Sequence, residues 1–69
     1  MSKWVLKEIT ASRRLGKPIY YRAMTAIGPM TTDDARAAAA YDDELTARMN
    51  RPWFSLAFFE PVQLDEEAS

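Results

Sequence analysis

The sequence predicts an α+β fold, a three-stranded antiparallel sheet with one kinked helix or two short helices on one face. Two segments near the N-terminus are rich in aromatic and β-branched residues, and a polar, Gly-containing stretch separates them. An alanine-rich stretch at 35–40 is typical of a helix. The most apolar run of the chain follows Pro52 and is typical of a central strand. The predicted order is therefore β-β-α(α)-β.

The first two strands are predicted at residues 4–10 and 19–24 and run antiparallel to each other. The residues between them, 11–17, are polar and contain a glycine, which is typical of a turn. Pro18 can open the second strand, because proline is tolerated at the first position of a strand. Residues 25–30 contain a Gly-Pro pair and are expected to end this part of the sheet.

The helical region permits two interpretations. Thr31 or Thr32 can cap a helix, and the aspartates that follow suit the positive end of its dipole. One helix over 33–50 would place its apolar residues on one face, but Asp42 would fall within that face. Either interpretation turns the same apolar residues toward the sheet: Ala35, Ala38, Leu45 and Met49.

The second interpretation, two short helices over 33–40 and 44–51, is the one we favour. Tyr41 would then enter the core between the helices, and Asp42 or Asp43 would cap the second one. Glu44 and Arg48 stand four residues apart, the spacing of a stabilising pair on a helix surface.

The last strand is predicted at 53–59 and is expected to lie beside the first strand. Pro61 would end or interrupt it, and residues 62–64 could extend it. Residues 1–64 would form one domain, and 65–69 would be a disordered acidic tail. The sheet face away from the helices would be uncovered, so a homodimer through alternate residues of 53–58 is one expectation alongside a monomer.

Composition limits the chemistry that the chain can perform. Its 69 residues contain no Cys and no His, which removes thiolate chemistry, the usual base near neutral pH and the commonest metal ligand. No nucleotide-binding motif is present. We therefore expect a protein that is not an enzyme and needs neither cofactor nor metal. No N-terminal signal peptide or membrane-spanning run is visible, which predicts a cytoplasmic protein.

Charge is divided between the two halves of the chain, and the acidic half gives the first candidate site. The charged residues of 33–69 are mainly acidic, whereas Glu8 is the sole acidic residue in 1–32. Spaced carboxylates could imitate a phosphate backbone and bind a basic groove of a partner protein. Helix capping and solubility would also explain them. The candidate residues are Asp33, Asp34, Asp42, Asp43 and Glu44, with Glu60 in support.

The basic half gives the alternative site, a small nucleic-acid-binding module. Arginines and a lysine near the predicted hairpin could contact phosphates, and tyrosines could stack on bases. The candidate residues are Arg13, Arg14, Lys17, Tyr20 and Arg22. The overall net charge of −1 weighs against a dedicated nucleic-acid binder.

The plan of the chain resembles that of small proteins encoded by phages and mobile elements. The matching positions are Trp4, Gly16-Lys17-Pro18, Tyr20, Thr32, Asp34, Ala38, Tyr41, Asp42-Asp43 and Ala47. Among such proteins, the anti-CRISPR inhibitors are the most similar in size, charge and lack of reactive residues. The resemblance implies a bacterial host and a type I surveillance complex as partner, with DNA access or reading of the target-adjacent motif blocked. It implies no particular contact residues.

Overall fold

The computed structural model describes residues 3–52 and 58–68, and it confirms the α+β class. Within these ranges the sheet has four strands instead of the predicted three, in the order β3-β2-β1-β4, and neighbouring strands are antiparallel. The elements are β1 (Trp4–Glu8), α1 (Ile9–Leu15), β2 (Tyr20–Thr25), β3 (Gly28–Thr32), a 3-10 helix (Ala35–Ala37), α2 (Glu44–Met49), β4 (Phe59–Gln63) and α3 (Leu64–Ala68).

The last strand lies beside the first, as predicted. β1 and β4 pair along their whole lengths, from Trp4 opposite Gln63 to Glu8 opposite Phe59. Pro61 was expected to end or interrupt this strand, but it lies inside β4. β4 is an edge strand, where a residue without an N–H group can be accommodated. Most of the strand predicted at 53–59 lies outside the described residues.

A connecting segment completes the pairing of β1 and β2. The two strands pair antiparallel at Lys7 and Tyr20, as the hairpin prediction required. Toward the start of β1, residues 39–41 take over, since Tyr41 and Trp4 exchange both backbone hydrogen bonds. The N–H of Ala39 donates to the carbonyl of Tyr21 at 3.1 Å. The backbone N–H and C=O groups of Trp4 and the C=O group of Tyr21 are thus hydrogen-bonded by residues 39–41, which are far from them in sequence.

The turn predicted at 11–17 is wrong, because residues 9–15 form the helix α1. The Glu8 side chain caps its N-terminus by accepting from the N–H groups of Thr10 and Ala11. Gly16 ends the helix in the left-handed conformation, at φ 70°, and its N–H donates to the carbonyl of Ser12. The first strand accordingly ends at Glu8 and not at residue 10.

The expectation that residues 25–30 end the sheet is also wrong. The chain turns at 26–27 and returns as β3, with Thr25 opposite Gly28. Gly28 adopts φ 129°, which suits glycine at the exit of so tight a turn. The Gly-Pro pair therefore lies at the start of an edge strand instead of beyond the sheet.

Two short helices follow, which confirms the break that we favoured. The first is much shorter than predicted, a 3-10 turn at Ala35–Ala37, because Ala38 is already extended and leads into the segment that pairs with β1. The second is α2, capped by Asp43. Leu45 and Met49 were expected to face the sheet, but they are 67% and 77% exposed, and Ala47 is the buried residue of α2.

The sheet is covered on both faces, so the prediction of helices on one face alone is wrong. On the first face, α2 packs through Ala47 against Leu6, Tyr21 and Phe59. On the second face, the 3-10 helix and α3 cover Val5 and Tyr20. Alternation along β1 explains the division, since Val5 and Leu6 point to opposite faces. We call these the α2 face and the α3 face.

The acidic segment at 65–69 was expected to be disordered, but residues up to Ala68 belong to the helix α3. Leu64 packs against the core of the α3 face. Glu67 accepts a hydrogen bond from the Tyr20 hydroxyl at 2.8 Å and pairs with Lys7 at 3.2 Å. These contacts attach the segment to the sheet, so it is part of the domain that was predicted to stop at residue 64.

Candidate functional site

Two of the predicted site carboxylates cap helices. Asp43 Oδ1 accepts from the Thr46 N–H at 2.7 Å, and this hydrogen bonding by Thr46 holds the pKa of Asp43 below its ordinary value. Asp34 Oδ1 accepts from the Arg36 N–H at 3.0 Å. Thr32, a predicted cap, instead accepts from the Asp34 N–H through its hydroxyl oxygen. Capping therefore accounts for Asp34 and Asp43 without a partner.

Three further site carboxylates form surface ion pairs. Asp33 pairs with Lys17 at 3.7 Å, and Glu44 pairs with Arg48 at 2.8 Å, as the spacing predicted. Asp42 pairs with Lys3. All of these carboxylates remain at least half exposed. Such exposed pairs contribute about 0–1 kcal/mol each, so a partner could displace them at little cost.

The structure does not bring all the predicted acidic residues together. Asp43 and Glu44 are at the N-terminus of α2, and α2 packs on the α2 face of the sheet. Glu60 lies opposite Lys7 in the register, and therefore on the α3 face. It is exposed, and no ion pair joins it to another residue of the described ranges.

The helix α3 connects two of the acidic groups. It begins where the Leu64 N–H donates to the carbonyl of Lys3, whose side chain holds Asp42. It ends at a cavity of about 400 Å³ whose lining includes Asp33, Asp34 and Glu67. We call the resulting surface the acidic band; its members are Asp33, Asp34, Asp42, Glu60, Asp65, Glu66 and Glu67. Lys3, Lys7, Lys17 and Arg36 lie among them, and carboxylates remain in excess.

Tyr20 belongs to a buried network under the acidic band, so its ring is not exposed for the base stacking that the sequence suggested. The side chain is 1% exposed, and its hydroxyl is bound to Glu67. Burial, followed by the hydrogen bond and the charge of Glu67, raises the pKa of Tyr20 above its ordinary value. A residue held in this way cannot stack on a nucleic-acid base without unfolding the sheet.

We expect this network to make the domain sensitive to alkali. The unfolded chain loses the tyrosine proton near pH 10, whereas the folded chain holds it to higher pH. Stability from this group is complete below pH 10 and falls as the pH rises, by up to about 1.4 kcal/mol per pH unit. Urea unfolding at several pH values should show a steeper loss for the native chain than for Tyr20→Phe. Equal slopes would contradict the assignment.

The other basic candidates are placed differently from one another. Lys17 is paired with Asp33, whereas Arg13, Arg14 and Arg22 are exposed and form no ion pair within the described residues. Arg13 and Arg14 stand in the last turn of α1, where cations suit the negative end of the helix dipole. The basic segment therefore has exposed arginines that could contact phosphates, but Tyr20, the aromatic residue proposed to stack on bases, is buried.

Two residues with important roles, Glu8 and Glu67, were missed from the sequence. Glu8 is 4% exposed and accepts three backbone N–H groups, from Thr10, Ala11 and Phe58. A signal for its capping role was present. Arg13 and Arg14 followed by a glycine at 16 are typical of the C-terminus of a helix, and a helix of about two turns that ends there would have its N-cap near residue 8. No comparable signal marks Glu67, whose partner Tyr20 is 47 residues away.

The homodimer prediction rests mostly on residues 53–57, which lie outside the described residues. Phe58, the described member of that group, is half exposed. Within the described ranges, no group of acidic side chains is arranged to hold a metal ion. No described helix has the length and apolar character needed to cross a membrane. Comparison with protein-family models, with curated proteins and with solved structures gave no match for this chain.

Proposed function

We propose that this chain is a non-catalytic inhibitor that binds a partner protein by docking its acidic band into a basic groove. The observation that carries the proposal is the position of α3, which joins the group around Asp42 to the group around Asp33 and Asp34. Without α3 these would be two separate patches. With it, one face of a small body presents spaced carboxylates, and such a field speeds association with a basic partner.

The described ionisable groups support a binding role over a catalytic one. The pKa is shifted clearly for Tyr20, Tyr41 and Asp43. Burial is the main cause for both tyrosines, and a capping hydrogen bond is the cause for Asp43. Each shift thus has a structural explanation. Tyr20 does line the cavity that Asp33 and Asp34 also line, but its side chain is 1% exposed and its hydroxyl is bound to Glu67.

The class of partner follows from the chemistry of the acidic band and from the resemblance stated above. A surface that imitates a phosphate backbone would occupy a groove that otherwise holds nucleic acid. The resemblance to anti-CRISPR inhibitors makes a type I surveillance complex, in the cytoplasm of a bacterial host, the first partner to test. Inhibition would then consist of blocking DNA access or recognition of the target-adjacent motif.

A charge-reversal experiment tests the proposal. The native chain should inhibit binding of target DNA by a purified type I surveillance complex. Glu60→Lys, which breaks no ion pair of the described residues, should weaken inhibition about tenfold, because a like charge facing a basic groove costs on the order of 1.4 kcal/mol or more. Combination with Asp42→Lys should weaken it further. Inhibition should also fall as the salt concentration rises.

Glu44→Lys is the matched control, since it reverses an exposed glutamate on α2, outside the acidic band. Inhibition should be nearly unchanged. If Glu60→Lys and Glu44→Lys inhibit equally well, the acidic band is not the docking surface. A gel-shift assay at low salt addresses the alternative function: binding of DNA or RNA by the chain alone, lost in Arg13→Gln and Arg14→Gln variants, would favour the nucleic-acid module.

A further inference from the structure

The α2 face carries a second candidate surface, a groove between α1 and the edge strand β3. Its cavity has a volume of about 470 Å³. Leu15 and Arg14 of α1 form one wall, and Pro29 and Thr31 of β3 form the other. Ile19 and Phe59 also line it. The acidic band lies on the other side of the sheet, so this groove is independent of the function proposed above.

Exposed apolar side chains lie in the groove and on the β2–β3 hairpin that forms one of its walls. Leu15 is 55% exposed although it lines a cavity that could shelter an apolar group. Met24 stands opposite Pro29 in the register and is also exposed, as is Ile27 at the turn between β2 and β3. Met24 and Ile27 do not line the groove itself, but with Leu15 they leave large apolar side chains in solvent in and near a concavity, as protein-binding sites often do.

The charged residues in and near the groove indicate which charge its ligand would carry. Residues 9–32, which supply most of its walls, contain Arg13, Arg14, Lys17 and Arg22 and no acidic residue. Arg14 lines the cavity and has no ion pair within the described residues. Glu8 also lines the cavity and carries a negative charge, but it is 4% exposed and faces three backbone N–H groups, whereas Arg14 is exposed to solvent. The groove therefore presents apolar walls beside one exposed positive charge, while the negative charge of the lining is buried.

We propose that this groove binds an acidic peptide segment of a partner protein, one that anchors an apolar side chain between carboxylates. The apolar anchor would cover Leu15 and Pro29, and a flanking carboxylate would pair with Arg14. A peptide fits these observations better than a nucleic acid does, because Tyr20 and Tyr21 are buried and offer no stacking surface. The groove thus gives the chain a second binding surface with the opposite charge preference.

A labelled peptide tests this proposal directly. The probe is a fluorescent hexapeptide, Glu-Glu-Leu-Phe-Glu-Glu, titrated with the full chain at low salt. We expect saturable binding that weakens at least about fivefold in Arg14→Gln and in Leu15→Ser. In NMR spectra of the full chain, the peptide should shift the amide signals of α1 and β3. A peptide with serine at both apolar positions should bind more weakly.

Matched controls distinguish binding in the groove from nonspecific electrostatic attraction and nonspecific hydrophobic binding. Arg36→Gln removes an exposed arginine beside the acidic band, and Leu45→Ser removes an exposed leucine of α2; both should bind the peptide like the native chain. Circular dichroism confirms folding of each variant. Equal binding by Arg14→Gln and Arg36→Gln would overturn the proposal. So would tighter binding of a single-stranded oligonucleotide at the same residues, or sedimentation showing that a second copy occupies the groove.

Discussion

Replacing Glu8 by alanine is expected to remove a large part of the protein's stability. The Glu8 carboxylate accepts N–H groups from Thr10 and Phe58 through Oε1, and from Ala11 through Oε2. These three hydrogen bonds are part-buried and made to a charged acceptor, and bonds of that kind contribute about 1.5–3 kcal/mol each, so the variant should lose about 3 kcal/mol or more. A domain of this length has a free energy of unfolding of about 3–10 kcal/mol. Urea unfolding followed by circular dichroism measures the loss.

Two further variants make the prediction for Glu8 specific. Glu8→Gln keeps one carbonyl oxygen, which can still accept from Thr10 and Phe58. It places an amide donor near the Ala11 N–H, so its loss of stability should be intermediate. Glu60→Ala removes an exposed glutamate from the neighbouring strand and should change stability by less than about 0.5 kcal/mol. If all three variants are equally stable, Glu8 does not hold α1 and β4 together.

The second large effect is expected for Phe59→Ala. Phe59 is 1% exposed and meets Tyr21 edge to face, with ring centroids 5.7 Å apart, in the core under α2. Truncating a buried phenylalanine costs about 3–5 kcal/mol, because the apolar transfer energy is lost and a cavity remains. Thermal unfolding of the variant should show a much lower midpoint or no cooperative transition.

Phe58→Ala is the matched control for Phe59, since it removes the same side chain one residue earlier in the chain. Phe58 is half exposed, and its backbone N–H, not its ring, binds Glu8. We expect a loss of less than about 1 kcal/mol. If Phe58→Ala proved as destabilising as Phe59→Ala, the assignment of the two side chains to surface and core would be wrong.

Local chemistry explains which elements were predicted from sequence. The strands β1 and β2 were predicted from their aromatic and β-branched residues, although β1 was predicted two residues too long. The helix α2 was predicted from its cap, Asp43, and from the pair of Glu44 with Arg48. The partners that stabilise α2 are at most four residues away, and the residue types that mark a strand lie within the strand itself, so both signals lie within a short window of the sequence.

The structure groups the candidate residues differently from the sequence, because side chains close in sequence can lie on opposite faces of a sheet. The sequence grouped Asp42, Asp43 and Glu44, but the structure leaves Asp42 with Lys3 and assigns the other two to α2. It grouped Tyr20 with the arginines, although Tyr20 faces the core under α3. Glu67 was predicted to lie in a disordered tail at 65–69, but it belongs to α3 and to the acidic band.

By itself the sequence determined the α+β class, the antiparallel pairing of the first two strands, the neighbouring position of the last strand and the helix at α2. The tertiary structure decided that α1 and α3 are helices, that β3 joins the sheet and that both faces are covered. The physical reason is distance along the chain: Glu8 binds Phe58 50 residues away, and Tyr20 binds Glu67 47 residues away. Elements this short gain their stability from such distant contacts more than from their own propensities.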